Sequence, residues 1–207
     1  MTVYVALLRA VNVGGTGKTP MGDLKALCER LGFEDVRTYI QSGNVVFRCD
    51  REAASAQALL AASLAARMKA PVGVILRTPS ELRRTLSANP FPKAAPNRVI
   101  VFFLDARPEK GALDGLRIPG NEEVRGVGRE IFVYYPDGQG RSRLRLPQAR
   151  TGTGRNLNTV AALAELAGST SRAPRPPLPS GRDRASSSGR SGPDTRNRAG
   201  RRSRSPG

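Results

Sequence analysis

Apolar positions recur along the first 168 residues with two distinct periods, one suited to strands and one to helices. Thr2 to Ala10 is apolar almost throughout and reads as a buried strand. A glycine-containing loop follows, and Pro20 suits the first turn of a helix, where its missing N–H costs little. Met21, Leu24, Leu27, Cys28 and Leu31 fall at helical spacing, and Gly32 makes a C-terminal stop. "VRTYIQ" and "NVVFRC" predict two strands joined at Ser42 and Gly43, which is a hairpin signal. Arg51 to Met68 is Ala/Leu-rich and predicts a helix, and "VGVILRT" predicts a fourth strand.

The order β-α-β-β-α-β is the ferredoxin-like split β-α-β pattern. A linking helix over "PSELRRTLSAN" comes next, and then the pattern restarts. Its second pass reads as a strand at "RVIVFFL", a short helix near Glu109 to Leu116, strands at "EEVRGVG" and "REIFVYY", and a last helix from about Asn158 to Ala167. The expected fold is therefore α+β, with two ferredoxin-like subdomains built on antiparallel sheets. The expected divisions are residues 1–78, residues 79–168 with an incomplete second unit, and a tail over 169–207.

That tail changes the picture of charge. The chain carries a net charge of +17, and ten Arg against two Asp place +8 of it beyond Gly168. The tail has one Leu and no aromatic residue, so it cannot bury enough apolar surface to offset ordering entropy and is expected to be disordered. An Arg/Ser/Gly tail can bind nucleic acid through counterion release; a solvated extension has the same composition. In the rest of the chain, 39% hydrophobic residues overall are enough for a core. No apolar run reaches the ~20 residues of a membrane helix, and the N-terminus lacks the pattern of a signal peptide. Cys28 and Cys49 make no disulfide framework, so a cytoplasmic location is expected. Cys28 lies on the apolar stripe of its helix and is expected in the core.

The chain has no histidine, which excludes Ser-His and Cys-His nucleophile pairs and His-containing metal sites. No metal or cofactor is expected. "NVGGTGKT" resembles a phosphate-binding P-loop in spelling only. The opening glycine of that motif would fall at residue 12, which is Asn, and Pro20 directly follows Thr19. The hairpin at Ser42 and Gly43 also speaks against the parallel sheet such a loop requires.

Two places carry candidate binding chemistry. In a split β-α-β unit the loop leaving the first strand emerges beside the strand 2–3 hairpin. This puts Arg9, Asn12, Gly14 and Gly15 near Gln41, Ser42, Gly43 and Asn44, where backbone N–H groups can meet an anionic or polar ligand. Ordinary turn chemistry also accounts for each of these residues separately. The second place is "GQGRSRLRLPQARTGTGRNLNTV". There Arg141, Ser142, Arg143 and Arg155 are candidates to grip a phosphate, and Asn156 or Asn158 can cap the helix that follows. A basic solvated loop and an ordinary cap would read the same. Tyr134 and Tyr135 alternate faces on their strand, so one is expected in the core and the other exposed, where it can stack on a base.

Three blocks, "YVALLRAVNVGG", "DVRTYIQSGNVVF" and "VYYPDGQGRSRL…TGTGRNLNTV", resemble the bacterial family known as domain of unknown function 1697. The resemblance spans roughly Val3 to Ala167. Arg9, Asn12, Val13, Gly14, Gly15 and Met21 fall on the family's first pattern, which leaves Thr16 to Thr19 as a variable stretch. Gln41, Ser42, Gly43 and Asn44 match the second. In the third, Arg155, Asn156, Asn158 and Thr159 match an R-N-W-N-T pattern, but position 157 is Leu rather than Trp. The resemblance implies an α+β fold with ferredoxin-like subdomains and supplies no activity. The leading expectation is a protein that binds an anionic ligand, nucleic acid or a phosphorylated small molecule, at the Gly/Asn loops and the basic helix start. An enzyme acting on a phosphorylated or nucleotide-like substrate and a structural or partner-binding module are the alternatives. Oligomeric state is left open.

Overall fold

The structure is a computed structural model that describes residues 1–9, 20–41 and 43–172, with residues 171 and 172 described by backbone alone. The tail from 173 onward, with its expected disorder, lies outside the described residues, as do Asn12, Gly14, Gly15 and Ser42. The chain order is β1 (Thr2–Leu8), α1 (Met21–Arg30), β2 (Glu34–Tyr39), β3 (Asn44–Cys49), α2 (Ala53–Met68), β4 (Val74–Arg77), α3 (Pro79–Ser87), β5 (Val99–Phe103), β6 (Glu123–Val127), β7 (Glu130–Tyr134), β8 (Thr153–Asn156) and α4 (Leu157–Arg172). The strands form two four-stranded sheets, ordered β2-β3-β1-β4 and β6-β7-β5-β8. Every ladder among them is antiparallel, which is the wrong architecture for a P-loop. The two orders are the same ferredoxin-like order, so the second pass is more complete in strands than its sequence suggests.

Three elements differ from expectation. The stretch around Glu109 to Leu116 forms consecutive turns instead of a helix, with Gly111 and Gly115 both at positive φ (83° and 69°). Glycines in this conformation interrupt a helix where the apolar spacing alone suggests one. The short strand β8 was not predicted, and α4 runs past Ala167 to Arg172. Ser169 to Arg172 therefore extend the helix and do not begin the tail; Thr170 is fully buried, its hydroxyl donating to the Leu166 carbonyl.

The first sheet is apolar on both faces because both are covered. On one face Tyr4, Ala6, Leu8, Val45 and Phe47 pack against Leu24, Leu27 and Cys28 of α1 and Leu60 and Leu64 of α2. On the other, Val3, Val5, Leu7 and Val46 share a cluster with Leu82 of α3, Leu157, Val160 and Leu163 of α4, and Val101, Phe103 and Phe132 of the second sheet. This interior, built jointly by both sheets and both later helices, is where the halves meet. The remaining face of the second sheet, with Ile100, Phe102 and Val133, is covered by the apolar side chains of loops, among them Leu113, Leu116 and Leu146.

Local chemistry fixes the helix ends. Gly32 (φ 80°) turns the chain out of α1, and the Phe33 N–H donates back to the Cys28 carbonyl at 3.2 Å. Thr78 and Glu81 form a reciprocal capping box at the start of α3. The β2–β3 hairpin places Ile40 at φ 46°, a costly conformation for a β-branched residue, and leaves it exposed; Gly43 takes φ 73° in the same turn.

Both thiols are free and buried. Burial, reinforced by Glu29, pushes Cys28 up to about 12, and burial raises Cys49 as well. Because the thiolate is the reactive form, the native protein is expected to leave both cysteines unmodified by a disulfide reagent such as DTNB, and to release two equivalents of chromophore in concentrated guanidinium chloride. Rapid labelling of either thiol in native buffer would contradict this packing.

Candidate functional site

The strand order brings the end of β1 to the hairpin as expected. The Leu8 N–H donates to the Gly43 carbonyl at 2.8 Å, and Leu7 stands opposite Asn44 in the ladder. Arg9 continues from this end. Its N–H donates to the Gly73 carbonyl at 2.8 Å and its guanidinium to the Arg150 carbonyl. A Cβ on Gly73 would lie 2.9 Å from Arg9 Nε, so glycine there makes room for the arginine. Gln41 is exposed at the hairpin, whereas Gly43 and Asn44 are buried.

Arg155 is the residue whose placement departs most from a surface phosphate grip. It is 8% exposed and points from β8 into the space between the sheets. Its Nε donates to Asn44 Oδ1 at 2.6 Å, Nη1 to Thr153 Oγ1 and the Gly154 carbonyl, and Nη2 to the carbonyls of Leu8 (2.9 Å) and Gly43 (3.3 Å). Asn44 in turn donates to the Tyr39 carbonyl at 3.1 Å. Burial lowers the guanidinium to about 10, which leaves it charged at neutral pH. Arg155 thus fastens the second sheet to the end of β1 and the start of β3. Asn156, one residue later, caps α4 by accepting from the Thr159 N–H at 2.9 Å; Asn158 is exposed and not the cap.

The first half holds a counterpart. Arg77 is the last residue of β4, directly before the α3 cap Thr78, as Arg155 directly precedes the α4 cap. Arg77 is 1% exposed and reaches across to the second sheet, donating to the Leu104 carbonyl at 2.6 Å and to Glu130 Oε1 at 3.0 Å. Leu104 follows β5 as Leu8 ends β1, and Glu130 opens β7 as Asn44 opens β3. The Leu104 N–H donates to the Arg129 carbonyl at 3.0 Å, matching the bond from Leu8 to Gly43. Burial lowers the Arg77 pKa, and Glu130 opposes that shift. No motif marked Arg77; its signal is a lone arginine ending an apolar strand just before a helix cap.

Arg141, Ser142 and Arg143 lie elsewhere, together. They line a cleft of about 360 Å³ with Pro119 to Glu122, Tyr135, Asp137 and Gly138. Arg141 follows from a 3-10 turn (Gln139–Arg141) that begins after Gly138, whose φ of 92° only glycine adopts readily. A Cβ on Gly138 would also meet Arg98 Nη1 at 2.5 Å, so that guanidinium lies against the wall of the cleft. Arg141 and Arg143 are exposed and form no ion pair among the described residues. Glu122, overlooked by sequence reasoning, is 9% exposed and accepts from the Gly120 N–H at 3.1 Å and from the Ser142 hydroxyl. The Ser142 bond holds its carboxyl below the usual range. Tyr135 is buried beside it, pushed up to about 12 by burial and by the Glu122 charge. Tyr134, half-buried, packs against Phe91 with ring centroids 5.8 Å apart, so neither tyrosine of the pair is the exposed stacking platform expected.

Among the described residues no helix is long and apolar enough to cross a membrane. The family model described as "Protein of unknown function (DUF1697)" matches residues 1–132. A solved structure, described as that of the conserved bacterial protein SP0830 from Streptococcus pneumoniae, is similar at a TM-score of 0.68 and 22% identity. The match covers 81% of this chain and 99% of that one, and at this identity it bears on the fold. No curated protein matches the chain.

Proposed function

The chain belongs to the DUF1697 family, whose description carries no activity, and on that premise we propose that it binds a phosphorylated small molecule in the cleft flanked by Arg141 and Arg143. One observation carries the reading: two exposed guanidiniums without acidic partners among the described residues face a concavity of about 360 Å³. That volume falls within the range of small-molecule sites. Guanidinium forks match phosphate oxygens bidentately, which a point charge does not. The cleft favours a small molecule over a nucleic-acid backbone because Glu122 and Asp137 also line it, and a run of phosphates would meet both carboxylates. Arg9 does not line this cleft; its guanidinium bonds the Arg150 carbonyl and belongs to the framework. Arg155, Asn156 and Gly43 serve in this reading as framework. The two free cysteines fit a cytoplasmic setting.

The test is calorimetric titration of inorganic phosphate and ribose 5-phosphate into the full chain and into its Arg141→Ala/Arg143→Ala variant. The Arg-rich tail is common to both proteins, so the difference isolates the cleft. Loss of two charge-assisted contacts is expected to weaken binding by about tenfold or more. Equal affinities in the two proteins would place any binding elsewhere and end the proposal.

A further inference from the structure

Resting on that reading, we infer that the cleft has two opposed halves and takes a phosphate ester bearing free hydroxyls: the arginines hold the phosphate, and Glu122 accepts hydrogen bonds from the hydroxyls. A site for a bare anion would exclude carboxylates, yet this one builds a carboxylate in. A Cβ on Gly120 would come within 2.9 Å of Glu122 Oε2, so glycine at 120 lets the carboxylate fold back on the backbone. There it takes the Gly120 N–H, and the Ser142 hydroxyl takes up its other oxygen. Ser142 is itself fixed, accepting from the Leu144 N–H at 3.0 Å. The same tripeptide that presents Arg141 and Arg143 therefore also holds Glu122 in place. An ionised carboxylate offers about four acceptor positions. The Ser142 hydroxyl and the backbone N–H groups of Gly120 and Glu122 itself draw on these, and Glu122 lines the cleft, so a donor on a ligand can meet what remains. Asp137 adds a second acceptor at the rim. Sugar hydroxyls are donors of the required kind, and a sugar phosphate presents them beside a dianion. A site built to hydrogen-bond a hydroxyl rejects the analogue lacking it, because the buried acceptor then loses its partner.

The experiment compares ribose 5-phosphate, inorganic phosphate and adenosine 5′-monophosphate on the full-length protein, on Glu122→Gln and on Arg141→Ala/Arg143→Ala. Ribose 5-phosphate is expected to bind at least about tenfold more tightly than inorganic phosphate. Glu122→Gln should erase most of that preference without weakening inorganic phosphate, a pattern that general loss of structure would not give. An unchanged thermal melt of the variant checks this independently. Binding of adenosine 5′-monophosphate tighter than ribose 5-phosphate would identify a nucleotide, and equal or weaker binding a sugar phosphate; both support the inference. If both phosphates bind equally and both depend on the arginines, the two-sided cleft is wrong while the phosphate site stands. If neither depends on the arginines, the phosphate site and this inference fall together.

Discussion

Replacing Arg155 with Met is expected to destabilise the protein by about 3–5 kcal/mol, close to the cost of breaking a buried charged network from one side. The side chain is 8% exposed, and methionine fills much of its volume, so the loss is chiefly polar. It would withdraw donors from Asn44 Oδ1, from Thr153 Oγ1 and from the Leu8 and Gly43 carbonyls, all in the interior between the sheets. The Gly43 carbonyl keeps the Leu8 N–H and the Leu8 carbonyl keeps the Thr153 hydroxyl, so the cost is that of the lost charge-assisted bonds, about 1.5–3 kcal/mol each. Arg155→Lys is expected to recover little, because an ammonium cannot reproduce the planar fork that reaches Asn44 and Leu8 together. Arg145→Met is the control: exposed and bonded to nothing among the described residues, it should change stability by less than about 0.5 kcal/mol. Urea titrations with an unchanged slope and a shifted midpoint are the measurement. A midpoint for Arg155→Met within error of the parent would show that the network contributes nothing net.

Glu130→Ala is expected to cost a similar amount, about 3–5 kcal/mol, for a different reason. Here a charge is stranded. Arg77 is 1% exposed and keeps its bonds to the carbonyls of Leu76 and Leu104, but it loses the carboxylate at 3.0 Å that balances its charge. The Phe103 ring, 5.5 Å below the guanidinium, cannot replace an anion. The pair of Arg125 and Glu123 supplies the comparison, since both side chains are about half exposed, and Glu123→Ala should cost under about 1 kcal/mol. A Glu130→Ala protein as stable as Glu123→Ala would mean that water or rearrangement restores the balance around Arg77.

Much of this fold is legible in the sequence because its elements announce themselves locally. Leu24, Leu27 and Cys28 mark one face of α1, and the runs at Thr2–Leu8 and Asn44–Cys49 are apolar because both faces of the first sheet are covered. β8 escapes such reading. Its four residues, Thr153–Asn156, include a glycine and no large apolar side chain, and what makes it a strand is pairing with β5. The turns near Glu109 to Leu116 misled for the converse reason, since Leu113 and Leu116 keep helical spacing while serving as a lid over the second sheet.

The candidate site was legible in part. Basic residues among glycines pointed to Arg141 and Arg143, and the structure gathers them in one cleft. Arg155 belongs to the same basic run yet turns inward; its place directly before the α4 cap, which Arg77 shares before α3, is hidden by the other arginines around it. Glu122 was invisible because its role depends on Gly120 and on Ser142 twenty residues away.

Arg77 and Arg155 have a consequence for how this chain can be divided. Each half supplies the guanidinium that satisfies the strand ends of the other, the reciprocal contact found where two identical subunits meet across a two-fold axis. The boundary between the two sheets therefore behaves as an isologous dimer interface tethered by the residues between α3 and β5. A chain severed in that tether would yield two fragments that complement one another, neither of them complete when alone.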